Sequence, residues 1–232
     1  MRPHKACALL IEVRGREIRT STVDEKVFTS GAPGIRLIPN AKVFLAVDTP
    51  EMPSDGTRIN IVNCRDMPRL VKPNDLIYLD DGKIILLVNE CDINGVRCEV
   101  KTGGFLGSFK GVKLPTGKQE HLPVITPQDL DDIATLIPNK ARIDYIALPY
   151  AVRKRDIANV RDSMGPTGAH IQILSKIDTV ESIHNFEELI KSADGIIINR
   201  VELGLEMHAE KLMLAQKWMV DRCCQEGKPC FV

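Results

Sequence analysis

The segment Leu174-Ser175-Lys176-Ile177-Asp178 closes a short apolar run at 171–174, and about twenty residues later Asn199-Arg200-Val201-Glu202-Leu203-Gly204 closes another at 196–198. Each segment then opens a helical pattern, which puts a lysine and two carboxylates at the same end of two neighbouring strands. Side chains alternate along a strand, so Lys176 and Asp178 project to one face. A fixed cation beside two hard oxygen ligands suits metal-assisted phosphoryl transfer: the oxygens hold a divalent ion, and the cation meets the charge of the moving group. The same residues would equally make a surface salt bridge at strand ends, and spacing alone leaves both readings open.

The elements that must position these residues have two textures. From about Thr126 onward, helix and strand patterns alternate. Thr126-Pro127-Gln128-Asp129 reads as a helix N-cap with proline at the first helical position and an acidic capping partner. Leu130, Ile133, Ala134 and Ile137 then recur at helical spacing. Further helices are marked by Ile157, Val160 and Met164, by Val180, Ile183, Phe186, Leu189 and Ile190, and by Leu212, Ala215, Met219 and Cys223. Strands are predicted at 8–13, 144–148, 171–174, 196–198 and 229–232. Short apolar strands between amphipathic helices imply a parallel sheet covered by helices. An open doubly wound sheet and a closed (β/α) barrel both satisfy this pattern.

Residues 21–121 are different. Strand-length runs at 42–47, 58–62, 76–79 and 84–88 alternate with turn signals, and Asp55-Gly56, Asp81-Gly82 and Asn94-Gly95 are hairpin dipeptides. With no helical period of useful length, this stretch is predicted to be a small all-β domain inserted after the first strand. The expected division is therefore 1–20 plus 122–232 for the α/β domain and 21–121 for the insert.

Bulk composition narrows the partners. Charged residues make up 27% of the 232 residues, and 31 basic side chains balance 31 acidic ones. That balance argues against nucleic acid or an anionic membrane as a partner. The apolar runs are too short to span a bilayer, and no signal-peptide apolar region follows the basic residues 1–5. A cytoplasmic protein is expected. Seven cysteines without a C-x-x-C pair read as reduced thiols of a reducing compartment. His4, His121, His170, His184 and His208 show no ligand spacing, so no zinc site is predicted.

Ser175-Lys176-Ile177-Asp178 and Arg200-Val201-Glu202-Leu203-Gly204 resemble the pyruvate kinase motifs Ser-Lys-Ile-Glu and Arg-Gly-Asp-Leu-Gly. Glu17-Ile18-Arg19-Thr20, Tyr78-Leu79-Asp80-Asp81-Gly82, Gly103-Gly104-Phe105-Leu106-Gly107-Ser108 and Lys110-Gly111-Val112-Lys113-Leu114-Pro115 follow the same pattern in order. So do Ser192-Ala193-Asp194-Gly195, Ala209-Glu210-Lys211 and Gly227-Lys228-Pro229, and the match runs from about Ala8 to the last residue. The resemblance implies a partial TIM (β/α) barrel with an inserted β-barrel lid, and the reaction of phosphoenolpyruvate with ADP to give pyruvate and ATP. It makes Lys176 the catalytic lysine, in contact with substrate. Asp178 and Glu202 become the ligands of Mg²⁺ (or Mn²⁺), and Val201 and Glu202 line the substrate. Glu12 falls in the K⁺ site, Arg19 and Lys110 contact nucleotide phosphates, and a homo- or hetero-oligomer is implied.

Several matched positions are altered. Asp178 and Glu202 exchange the family's carboxylate lengths, which could move a magnesium ion by ~1 Å given its strict octahedral geometry. Val201 replaces a glycine whose backbone approaches the substrate carboxylate, and Val13 replaces a threonine of the K⁺ site. Phe109 replaces a lysine, Pro149-Tyr150 replaces a Ser-Phe pair, and the following arginine stands one place later, at Arg153. The first two βα units and everything beyond the seventh barrel strand have no counterpart. A five-strand sheet leaves edges and apolar surface uncovered, so a fragment of a longer product or a partner-dependent, oligomeric chain is expected. These departures predict weak or absent turnover. The alternative is a non-catalytic paralogue that binds ligand or joins an active pyruvate kinase.

Overall fold

The computed structural model describes residues 7–24, 34–115, 118–137 and 143–232; the basic segment 1–5, with His4, lies outside them. The chain divides into two compact units, Met1–Arg16 with Glu120–Val232, and Glu17–Gln119. The first unit opens with β1 (Leu10–Glu12). The second carries β2 (Ile18–Arg19), β3 (Ile35–Leu37), β4 (Lys42–Ala46), β5 (Arg58–Asn60), the short helix α1 (Met67–Leu70), β6 (Leu76–Leu79), β7 (Ile84–Asp92), β8 (Gly95–Thr102), β9 (Gly104–Leu106) and β10 (Gly111–Lys113). The first unit resumes with α2 (Pro127–Leu136), β11 (Tyr145–Leu148), α3 (Lys154–Met164), β12 (Gln172–Ile177), α4 (Val180–His184) and α5 (Phe186–Ser192). It ends with β13 (Gly195–Ile198), α6 (Arg200–Gly204), α7 (Ala209–Gln225) and β14 (Cys230–Phe231).

Among the described residues the first unit's strands form one five-stranded sheet in the order β1-β11-β12-β13-β14. Every pair is parallel. Chain order thus equals strand order, as expected when each strand is followed by a helix that returns the chain to the same edge. One sheet face carries Ile146, Ile173, Ile177, Ile196 and Ile198 into a core with Ile157, Val160, Phe186, Leu189, Ile190, Met219 and Cys223 from the helices.

Local chemistry sets the helix ends. Thr126 Oγ1 accepts from the Asp129 N–H at 3.1 Å, and the Asp129 carboxylate accepts from the Thr126 N–H at 2.9 Å, a closed capping box with Pro127 behind it. The Asp129 carboxylate also accepts from the N–H groups of Arg14 (2.8 Å) and Gly15 (3.0 Å), so the cap holds the chain leaving β1. Gly15 has φ +54, and a Cβ there would meet Val124 O at 3.1 Å; left-handed backbone in so close a space suits glycine alone.

One helix of the sequence reading is two. The apolar positions from Val180 to Ile190 belong to α4 and α5, separated at Asn185 (φ −94, ψ 14). The Asn185 side-chain amide donates to Val152 O at 3.0 Å and Glu181 Oε1 at 3.3 Å. The Asn185 amide is thus committed to a carbonyl 33 residues away, just ahead of α3, a contact to which the hydrophobic period is blind.

In the second unit a seven-stranded sheet, β2-β10-β6-β7-β8-β4-β5, accompanies the pair β3-β9. Ile18, Leu45, Ile59, Ile77, Leu79, Ile84, Leu86 and Val100 are fully buried there. The Asp81-Gly82 turn joins antiparallel β6 and β7, with positive φ at Asp80 (48), Asp81 (58) and Gly82 (80). Asn94-Gly95 joins β7 and β8, but Gly95 is not left-handed. Its glycine is required because a Cβ would lie 2.1 Å from Leu45 O of β4. Asp55-Gly56 closes no hairpin, since β4 and β5 pair in parallel. There Asp55 Oδ1 accepts from the N–H groups of Thr57 (2.6 Å) and Arg58 (2.7 Å), so the dipeptide marks a side-chain-stabilised turn.

Candidate active site

Strand alternation along β12 turns Ser175 and Ile177 away from the face that carries Lys176. The Lys176 ammonium, 14% exposed, pairs with Glu12 Oε1 of β1. The strand between them offers Ala147, paired in register with both Glu12 and Leu174.

Asp178, the residue after β12, is fully buried. Its Oδ2 accepts from the Tyr150 N–H at 2.7 Å and its Oδ1 from the Asn199 amide at 2.6 Å. Burial pushes the carboxyl above its ordinary range, against the pull of the Lys176 charge and these two hydrogen bonds. Glu202, in the first turn of α6, accepts at Oε2 from the Tyr150 hydroxyl at 2.8 Å. Tyr150 therefore touches both carboxylates, one through its backbone and one through its phenol.

Tyr150 adopts φ 53, a left-handed backbone uncommon for a bulky residue. Its carbonyl accepts from Arg16 Nη1 at 2.7 Å. Arg16 also makes a bidentate pair with Asp156 (2.9 and 3.0 Å) and donates from Nε to Leu122 O at 2.8 Å. Asp156 in turn accepts from the N–H groups of Val152 and Arg153 at the start of α3. Burial would raise Asp156, but the hydrogen bonds and charge of Arg16 and the two N–H groups outweigh it and hold the carboxyl low. The buried ion pair thus holds the carbonyl of Tyr150, and the N–H of the same residue holds Asp178.

Val201 is 55% exposed on α6. Arg19 and Lys110 belong to the second unit, where Arg19 pairs in register with Gly111, the neighbour of Lys110. Arg19 binds Glu17 Oε1 at 2.8 Å and Phe109 O at 2.7 Å. Lys110 lies 3.1 Å from Asp80, whose other oxygen takes Lys83.

Among the described residues no three Asp, Glu, His or Cys side chains converge as a metal cage. Asp178 and Glu202 are nevertheless the right donors for a hard divalent ion, since magnesium takes one or two protein carboxylates and fills its shell with water and substrate oxygens. Carboxylate oxygens carry about two lone-pair sites each, so one hydrogen bond does not exhaust them. The residues fit Mg²⁺ or Mn²⁺. For K⁺ the fit fails: Glu12 is held by Lys176, and buried Val13 offers no side-chain oxygen.

Arg16 and Asp156 are the site residues that motif spacing missed, while Tyr150 and Asn199 stand in the quoted segments without the contacts found here. Arg16 and Asp156 meet across 140 residues, and no local signal announces that contact. Asn199 directly follows β13, a place where a polar side chain at a strand's C-terminal end is itself a cue.

Ser175 Oγ is buried with no hydrogen-bond partner among the described residues. Removing an unsatisfied hydroxyl relieves its desolvation cost, so Ser175→Ala is expected to leave stability unchanged or raise it by about 1 kcal/mol. Denaturant unfolding checks this. A loss larger than about 1 kcal/mol would mean that the hydroxyl is satisfied, for example by a buried water.

A family model described as "Pyruvate kinase, barrel domain" matches residues 1–232. The chain is similar to the pyruvate kinase PKLR of Rattus norvegicus, at 35% identity over 229 residues, covering 97% of this chain and 38% of the relative. It is also similar to a cytosolic pyruvate kinase isozyme of Glycine max, at 35% identity with 96% and 42% covered. The pyruvate kinase of Agaricus bisporus is 33% identical, with 99% and 42% covered. The chain spans about two fifths of the length of these relatives. No helix among the described residues is long and apolar enough to cross a membrane. With the motif lysine and both motif carboxylates gathered at the C-terminal ends of parallel strands, and with a barrel-domain match over its whole length, this chain belongs to the pyruvate kinase family.

Proposed function

We propose that the α/β unit binds a divalent cation and a phosphorylated carboxylate of the phosphoenolpyruvate class, and that its transfer of phosphate to ADP is weak or absent. The observation that carries this reading is Tyr150, which touches Asp178 and Glu202 together and so places both carboxylates around one residue. Lys176 acts on Asp178 through its charge. When bound, the metal would neutralise phosphate oxygens and polarise the bridging oxygen. Asp178 and Glu202 would hold it, and Lys176 would counter the negative charge of substrate. Arg19 and Lys110, both of the second unit, are the nucleotide-phosphate contacts in this reading.

Weak turnover is supported by three features. Lys176 is already neutralised by Glu12. The carboxylate lengths are exchanged, and a displacement of ~1 Å suffices for about a hundredfold loss where alignment carries the reaction. Val201 puts a β-branched side chain where close backbone approach is needed. The Lys176–Glu12 pair also favours a second reading, a cytoplasmic non-catalytic paralogue that binds ligand or joins the oligomer of an active enzyme.

A lactate-dehydrogenase-coupled assay with Mg²⁺, K⁺, phosphoenolpyruvate and ADP is expected to give no rate above background. A rate within about tenfold of a complete family member, abolished by Lys176→Ala, would overturn the proposal, because tenfold is only 1.4 kcal/mol of barrier. Phosphoenolpyruvate binding without turnover would select the second reading.

A further inference from the structure

We propose that Tyr150 sets the affinity of the carboxylate pair for a divalent cation, by holding Glu202 through its hydroxyl while its N–H holds Asp178. The inference rests on the metal-binding reading above and adds to it the residue that competes with the ion.

The geometry is specific. The phenol donates to Glu202 Oε2 at 2.8 Å, a charge-assisted bond stronger than one between neutral partners. Tyr150 cannot easily swing away. The residue is 5% exposed, its backbone is left-handed, and its two flanking peptides are held, the carbonyl by Arg16 and the N–H by Asp178. A phenol on a clamped backbone is pre-organised for its acceptor, so breaking the bond recovers little freedom for the side chain. A cation that takes Glu202 shares the carboxylate with this hydroxyl, which partly neutralises its charge and fixes its orientation, so the bond weakens the affinity of the ion. Asp178 is different: its bonds from the Tyr150 N–H and the Asn199 amide tie the strand ends together, and neither depends on the phenol.

Tyr150→Phe removes only the hydroxyl and keeps the ring, the backbone N–H and the clamp. The proposal therefore expects tighter binding from a deletion, a direction that a merely structural role would not produce. Mn²⁺ is the probe, titrated by electron paramagnetic resonance of the free ion into the full chain, the Tyr150→Phe chain and the Glu202→Gln chain. Gln keeps the length and an acceptor for the phenol but loses the charge. Circular dichroism confirms that each is folded. Tyr150→Phe is expected to bind Mn²⁺ roughly tenfold tighter than the unmodified chain, about 1.4 kcal/mol, with Glu202→Gln weaker than both. If Tyr150→Phe binds as the unmodified chain does, or more weakly, and both exceed Glu202→Gln, the role of Tyr150 is overturned and the metal reading stands. If all three chains behave alike, the metal reading fails and the role of Tyr150 falls with it.

Discussion

Asp156→Ala is expected to destabilise the α/β unit by about 3–5 kcal/mol, the usual loss when one member of a buried ion pair is removed. The Arg16 and Asp156 side chains are 9% and 8% exposed. Truncating Asp156 strands the guanidinium in a low-dielectric setting and leaves the N–H groups of Val152 and Arg153 without their acceptor. Arg16 would keep its bonds to the carbonyls of Leu122 and Tyr150, neither of which carries the lost charge. Trp218 of α7 is the sole tryptophan of the chain, so its emission follows unfolding of this unit specifically. Denaturant curves for Arg16→Ala, Asp156→Ala and the double variant complete the test. A coupling energy near zero would show that the pair contributes nothing as a pair.

The same pair makes a pH prediction. The folded carboxyl of Asp156 is lowered from its ordinary value of 3.8. A depressed carboxylate contributes stability that is fully present above the unfolded value and is lost as pH falls through the folded value. Stability should therefore decline below about pH 4, the ordinary aspartate range. The decline attributable to this residue should be missing from Asp156→Ala.

The second large effect is Phe186→Ala, expected to cost about 3–5 kcal/mol. Phe186 is fully buried at the start of α5, and its ring lies 5.1 Å from that of Trp218 at an interplanar angle of 55°. The alanine variant loses the transfer energy of the ring and leaves a cavity against Leu189, Ile190 and Met219 that rigid helices fill only in part. It also withdraws the aromatic neighbour of an indole that is already 41% exposed. The folded variant should thus show a red-shifted emission as well as a lower denaturant midpoint. A midpoint within about 0.5 kcal/mol of the unmodified chain would mean that the site collapses to fill the space.

The five strands of the α/β unit and the helices between them could be read from the chain because their signals are local. A short apolar run flanked by amphipathic periods, or Thr-Pro-Gln-Asp before such a period, is legible within a dozen residues. The motif segments were legible for the same reason, since Lys176, Asp178 and Glu202 each lie within four residues of the end of an apolar run. The hairpin dipeptides were only half legible. Asp81-Gly82 behaves as its φ preference demands, whereas Gly95 is explained by the Leu45 carbonyl of a strand far away in sequence. Asp55-Gly56 shows that a turn dipeptide names a turn without naming which strands it joins.

What the residues of this chain determined alone is therefore the set of elements, their α/β and all-β textures, and the family to which the motif order points. Which groups meet was decided by tertiary structure. Lys176 answers to Glu12 from a strand two places away, Tyr150 bridges Asp178 and Glu202, and Arg16, paired with Asp156, holds the Tyr150 carbonyl. Each contact joins residues from 28 to 164 positions apart. Propensity and periodicity act over a turn or a strand, while a hydrogen bond depends only on distance and angle in space, so these pairings exist only once the sheet has set its register.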